Sequence, residues 1–264
     1  MLSNDYLMEE AEDSGLPTTK RRAILREYVQ NIILNNVYKS REGKRMYLMG
    51  GTALRYCYRL PRFSEDLDFN AKKLPYRVFQ KISENAVKSL EYEGFKAELT
   101  TDEREGLYTA KISLPNIMQQ YNITDARGVD LMVKLEVNKP NWPLKTQPHV
   151  LSYYGFNYTA TVMAESNLIT EKLLALLNRN RGRDIYDLLF MLKKKFPFDK
   201  NILKANGLEE DAEKLIVRRL ETLSRKELER LAKQVQPFLF KEDDTELVKK
   251  APEYTNKFLE MQKI

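Results

Sequence analysis

The run Met46-Tyr47-Leu48-Met49-Gly50-Gly51-Thr52, followed by Asp66-Leu67-Asp68-Phe69, limits what this chain can fold into more than any other feature. Four apolar residues make a short strand that breaks at two glycines and turns into the helical pattern beginning near Thr52. Such a turn places backbone N–H groups and a hydroxyl at a helix N-terminus, a ready anion site. In the second run, side chains two apart on a strand point the same way. A strand over Asp66–Phe69 therefore shows both carboxylates on one face and buries Leu67 and Phe69 on the other. Two such carboxylates repel by roughly 4 kcal/mol at an effective dielectric near 20. A divalent cation between them would offset that cost.

The rest of the chain reads as two halves. Residues 18–38 carry apolar side chains at Ile24, Leu25, Val29, Ile32, Ile33 and Val37, a helical stripe behind the cap candidates Thr18 and Thr19. Residues 75–92 repeat a helical pattern, with Gly94 as its stop. Residues 95–100, 107–114 and 129–137 read as strands separated by turn signals at Gly106 and Gly128. Residues 153–163 have room for one or two more. After about Ala164, glycine nearly disappears and Leu, Lys, Glu and Arg recur at helical spacing. The expected architecture is α+β: a mixed-sheet catalytic core over residues 1–164, then an all-α bundle over 165–264. The charge-rich stretch after about Lys241 reads as a loosely packed terminal helix.

Beyond the paired aspartates, Glu136 interrupts the apolar run Leu135–Val137. An acid embedded in a strand is costly unless it is partnered or its face meets solvent. Lys172 sits on a helix whose apolar face is Leu173, Leu176 and Leu177. Most lysines so placed are simply solvated. On the next helix Asp184 and Asp187 are three apart, and Arg183 and Asp187 four apart, so they share a face. A salt-bridge cluster locking two helices together explains Asp184 as well as a functional role does. Arg62 and Ser64, just ahead of the paired acids, either orient an anion or brace the loop. Tyr153, Tyr154 and Tyr158 stand at sheet spacing and read as sheet surface, or as platforms for a stacked base.

The string GGTALRYCYRLPRFSEDLDF resembles the Gly-Gly-(Ser/Thr), helix, Asp-x-Asp signature of the DNA-polymerase-β-like nucleotidyltransferases. It is similar in particular to the AbiEii/AbiGii abortive-infection toxins, which act in toxin–antitoxin pairs. The blocks Glu171–Leu177 and Arg183–Leu189 (RDIYDLL) resemble that family's second motif, and the likeness spans roughly residues 45–190. It implies an NTP substrate and Mg²⁺ or Mn²⁺ held by Asp66, Asp68 and Glu136, with Glu136 alternatively serving as base toward an acceptor hydroxyl. It implies that Gly50, Gly51 and Thr52 cradle phosphate with help from Arg62, Ser64 and Asp184. Lys172 would reach the triphosphate and Asp187 would be the functional acid, both contributed by the helical half. Thr52 stands where the broad superfamily most often has Ser, and the hydroxyl is kept. The implied acceptor is RNA, at the 3′ end of a tRNA, and a cognate antitoxin is the implied partner.

Charge agrees with an anionic partner. Forty-four Lys and Arg against 38 Asp and Glu leave a net charge of +6. The knot Arg179/Arg181/Arg183 lies inside the second motif and is the expected RNA contact. The single Cys57 excludes an intrachain disulfide and reads as a small buried residue. The lone His149, placed in a proline-rich loop, argues against zinc and a histidine base. Gly43-Lys44-Arg45 lacks the spacing of a P-loop. With no secretory leader pattern and no membrane-length apolar run, a cytoplasmic protein is expected. Two rival readings remain: transfer to a protein or small-molecule hydroxyl, and a catalytically degenerate module that binds nucleotide or RNA.

Overall fold

The computed structural model describes residues 1–126 and 128–262. By contacts the chain forms two compact units. The first takes Met1–Tyr58, Phe63–Pro140 and Thr146–Val162; the second takes Arg59–Arg62, Asn141–Lys145 and the chain from Met163 onward. The second unit thus recruits two short segments that a single cut at residue 164 leaves on the other side.

The first unit is built on a seven-stranded mixed sheet in the order β3-β4-β5-β2-β1-β7-β6. Its strands are β1 (Met46–Met49), β2 (Leu67–Ala71), β3 (Glu98–Arg104), β4 (Leu107–Leu114), β5 (Leu131–Asn138), β6 (Thr146–Tyr153) and β7 (Phe156–Met163). β2 runs antiparallel to β1 and parallel to β5, while β7 runs parallel to β1. The helices are α1 (Asn4–Asp13), α2 (Arg21–Lys39), α3 (Gly50–Tyr58), α4 (Tyr76–Tyr92) and the single turn α5 (Ile117–Gln120). Alternation decides the sheet. On β5, Leu131, Val133, Leu135 and Val137 are fully buried while Met132, Lys134, Glu136 and Asn138 face the other way, at least partly open.

Two expectations need correction, and one helix was not expected. His149 lies in strand β6, not in a loop. Pro148 breaks the strand pattern in the sequence, yet β6 closes one edge of the sheet, where a missing N–H is tolerated. The hairpin from β6 to β7 turns through Tyr154 and Gly155, both at positive φ, as two-residue hairpins require. Tyr154 and Tyr158 are buried, neither sheet surface nor stacking platform. The Tyr158 hydroxyl donates to Asn31 at 2.9 Å and that of Tyr154 to Glu27 at 3.3 Å, tying the hairpin to α2. Helix α1, capped by Ser3, has no counterpart in the sequence reading.

The second unit is helical: α6 (Glu165–Asn178), α7 (Gly182–Lys193), α8 (Lys200–Ala205), α9 (Ala212–Glu221), α10 (Arg225–Val235), α11 (Thr245–Lys249) and α12 (Ala251–Gln262). α7 packs on α6, α10 and α12. Its first residue, Gly182, meets α10 so closely that a Cβ there would lie 1.9 Å from the Leu231 carbonyl oxygen. The segment after Lys241 is not loosely packed, since Val248, Ala251 and Thr255 are fully buried. Among the described residues no helix is long and apolar enough to cross a membrane.

Candidate active site

In the sheet unit the paired acids lie where β1 ends and α3 begins. β2 starts at Leu67, one residue later than expected: β1 stops at Met49, opposite Asp68, and Asp66 remains in the preceding loop. Leu67 and Phe69 are fully buried and Asp68 is partly open, as alternation requires. Asp68 pairs in register with Glu136 on the parallel neighbour β5. Register partners on adjacent strands carry side chains on the same face, so Asp68 and Glu136 stand side by side. Gly50 explains its own identity. It has φ +68°, and a Cβ added to it would sit 2.6 Å from Asp68 Oδ2. Only glycine lets the start of α3 lie this close to the carboxylate. The positive end of that helix therefore abuts an acid.

The loop carrying Asp66 is held from beneath. Thr52, fully buried, donates its hydroxyl to the Asp66 carbonyl at 2.5 Å. Gln30 of α2, 1% exposed, donates to the carbonyls of Ser64 and Glu65 at 3.1 and 2.9 Å. The Tyr56 hydroxyl in turn donates to Gln30 Oε1 at 3.1 Å, and Arg26 pairs with Glu65 at 3.2 Å. One step behind, Arg55 of α3 forms a two-pronged ion pair with buried Glu27, both contacts 3.0 Å. The hydroxyl of Thr52 is thus spent on the loop. The N–H groups opening α3 are what the motif can offer an anion.

Sequence reasoning passed over Lys134 and Gln30. Lys134 Nζ lies 3.2 Å from Glu136 and 3.8 Å from Asp66. Partial burial lowers the ammonium's pKa, but Asp66, Glu136 and Asp68 outweigh it and raise the net value. Its signal was its position two residues before Glu136 on the same strand face. The signal for Gln30 was a polar residue set within an apolar helical stripe.

The residues of the second motif gather in the helical unit, where two buried aspartates meet three cations. Asp187, fully buried, accepts both prongs of Arg62, Nε at 2.6 Å and Nη2 at 2.7 Å, and lies 2.9 Å from Lys172 Nζ. Asp184 lies 3.0 Å from Lys172 and 2.8 Å from Arg179 Nε. Burial would raise both acids; Arg62 and Lys172 overcome it at Asp187, and Lys172 and Arg179 hold Asp184 down at about 2. Lys172 is pulled down by burial and lifted above its usual value by Asp187 and Asp184. Arg62 is braced further: Pro61 accepts from the Phe240 N–H, and Arg62 bridges Leu239. Of the basic knot, Arg179 is on Asp184, Arg183 stacks over Phe238 at 4.6 Å, and Arg181 is exposed at the start of α7.

The expected divalent cation needs hard oxygen donors. Asp66, Asp68 and Glu136 are donors of that kind, and two of them, Asp66 and Glu136, already hold the Lys134 ammonium. That fits the requirement. Among the described residues, no three His, Cys, Asp or Glu side chains are gathered closely enough to form a ready metal cage. With Lys134 seated between two of the acids, some side-chain movement is required for a metal to enter.

A family model described as nucleotidyl transferase AbiEii toxin, type IV toxin–antitoxin system, matches residues 32–260. Among solved structures, the chain is similar to MenT4, a nucleotidyltransferase toxin from Mycobacterium tuberculosis, with a TM-score of 0.61 at 18% identity over 97% of this chain and 90% of that one. It is also similar to JHP933 from Helicobacter pylori, with a TM-score of 0.52 at 17% identity over 91% of this chain and 93% of that one. At such identities the two likenesses establish a shared fold. No curated protein matches at the level of sequence.

Proposed function

This chain belongs to the AbiEii nucleotidyltransferase toxin family of type IV toxin–antitoxin systems, and from that premise we propose that it transfers a nucleoside monophosphate from an NTP to an RNA hydroxyl, with a tRNA 3′ end as the acceptor. The observation that carries the proposal is the pairing of Asp68 with Glu136 beside Asp66, against the glycine that opens α3. Acids this close to a helix N-terminus suit a site that handles metal and phosphate together.

In this reading the acceptor oxygen bonds to the α-phosphorus as the bond to the β-phosphate bridge breaks, and pyrophosphate leaves. Asp66 and Asp68 would hold the divalent cation, Mg²⁺ or Mn²⁺. When bound, that cation supplies Lewis-acid stabilisation of charge on the phosphates. Glu136 completes the donor set or accepts the proton from the acceptor hydroxyl. The N–H groups of Gly51 and Thr52 receive phosphate oxygens, and the Thr52 hydroxyl keeps the Asp66 loop in place. Gln30 does the same from below. The resemblance assigns Lys172 to the triphosphate and makes Asp187 the functional acid. Arg62 and Asp184 then act through that cluster, holding its two key side chains.

Arg179, Arg181 and Arg183 are the proposed RNA contacts. Arg181 leads because its neighbours are engaged with Asp184 and Phe238. Family membership implies an antitoxin partner, and we place the reaction in the cytoplasm, where NTP and tRNA meet. The test is incubation of purified protein with each labelled NTP in turn, with total RNA or with lysate protein, followed by mass spectrometry of the recovered RNA. Label on the RNA terminus with pyrophosphate release is the expected result. Label on protein and never on RNA would transfer the reading to a protein hydroxyl. No turnover of any NTP would leave a binding module.

A further inference from the structure

We propose that Lys134 is the built-in counter-ion of the acid constellation, seated between Asp66 and Glu136 until a divalent cation displaces it. The proposal rests on the reading of those acids as metal ligands. Lys134 and Glu136 are two apart on β5, so their side chains leave the same face of the sheet. The ammonium lies 3.2 Å from Glu136 and 3.8 Å from Asp66, and Glu136 is the register partner of Asp68. It therefore stands against the carboxylates that a metal would need. Asp68 is restricted on its other side by the start of α3, where a Cβ on Gly50 would nearly touch its Oδ2.

An ammonium and a dication cannot share this ground. The lysine offers one charge and three donor hydrogens, and satisfies carboxylates without imposing coordination geometry. A divalent ion takes the same oxygens at shorter range and repels the ammonium. The flexible four-carbon stem lets Nζ leave without moving β5. Lys134 would thus keep the acids apart from one another's repulsion in the metal-free protein and set how much metal is needed to load the site.

The experiment uses full-length protein, stripped of metal by chelation and titrated with Mn²⁺ without nucleotide, with binding read by calorimetry or by the resonance of free Mn²⁺. Lys134→Met should bind Mn²⁺ about tenfold more tightly than the wild type, melt at a lower temperature without metal, and regain wild-type melting when loaded. Lys134→Arg, which keeps the charge, should show no such tightening. Lys134→Gln repeats the neutral test should the Met variant fold poorly. If the wild type binds Mn²⁺ and both neutral variants bind equally or more weakly, the counter-ion role is overturned while the acids keep theirs. If Asp66→Asn with Asp68→Asn binds as well as the wild type, or if neither the wild type nor the neutral variants bind, the metal reading falls and the counter-ion role with it.

Discussion

The acid constellation of the sheet unit and the ion-pair cluster of the helical unit are built on opposite terms. In the sheet unit three carboxylates face one ammonium, and the side chains of Asp66, Glu136 and Lys134 are 36%, 25% and 28% exposed. In the helical unit three cations face two carboxylates, and Arg62, Asp184 and Asp187 are almost wholly buried. Excess acid at a partly open site is a cost to folding unless something else binds there. A buried cluster whose every carboxylate oxygen is met by a cation is self-sufficient, and strongly destabilising to break. The first arrangement suits a site that takes up a cation, and the second braces the helical unit.

The sharpest way to break this contrast is to neutralise one member of each cluster. Asp66→Asn or Asp68→Asn should lower transfer by at least about a thousandfold, since metal and phosphate charge go unsupported. Folding stability should stay level or rise slightly as repulsion is relieved. Turnover retained in either folded variant would remove these acids from the mechanism. Asp187→Asn should instead show its largest effect on stability. It leaves Arg62 and Lys172 facing a neutral amide in a buried place, at a cost of about 3 kcal/mol or more in urea denaturation. A loss below about 1 kcal/mol would show that the cluster is no brace.

Acid titration sharpens the comparison further. Asp184 is held at about 2 in the folded protein, below its usual 3.8. A depressed carboxyl contributes stability that is fully present above the unfolded value and is lost as pH falls through the folded one. The helical unit should therefore lose about 2 kcal/mol between roughly pH 4 and pH 2 through this group. Asp187, also depressed, adds to the loss in the same direction. Urea midpoints measured across that window for wild type and Asp184→Asn check it. The variant should show a shallower decline, and parallel curves would dissociate Asp184 from acid sensitivity.

How much of this could be read beforehand followed the range of the interaction. The alternation of Leu67 and Phe69 with Asp68, the break at Gly50 and the strand expected over residues 129–137 are local patterns; the structure keeps the first two and places the third at Leu131–Asn138. The partnership of Arg62 with Asp187 spans 125 positions, and no local spacing announces it. For that reason Arg62 could be read equally as an anion contact or as a brace. Strand β6 was hidden by Pro148, because only its place at the sheet edge makes the proline harmless. The terminal helices looked loose because charges surround Val248 and Ala251 in sequence, yet in three dimensions the charges turn outward and those two are buried. Lys134 was visible but had no weight until its distance to Asp66 was known.

The smallest expected effect concerns a residue that touches neither cluster's charges. Gln30 lies in the core of α2, and its amide holds the carbonyls of Ser64 and Glu65 while the Tyr56 hydroxyl fixes its oxygen. Gln30 thus positions the loop that ends in Asp66 without meeting any reacting atom. Gln30→Leu removes both amide hydrogen bonds to that loop and leaves the Tyr56 hydroxyl with the Glu27 carbonyl alone, at about 1–2 kcal/mol in stability. A loop free to shift by a fraction of an ångström misplaces Asp66 but leaves Asp68 and Glu136 on their strands. Transfer should fall about tenfold in kcat with little change in KM for NTP, and Mn²⁺ should bind more weakly. Gln30→Glu puts a carboxylate against those two carbonyls and should be worse, whereas Gln30→His, able to donate to one carbonyl, should recover part of the rate. A Gln30→Leu protein that loses stability but keeps its kcat and its metal affinity would show that the tie serves the fold alone, and that Thr52 by itself holds Asp66 in place.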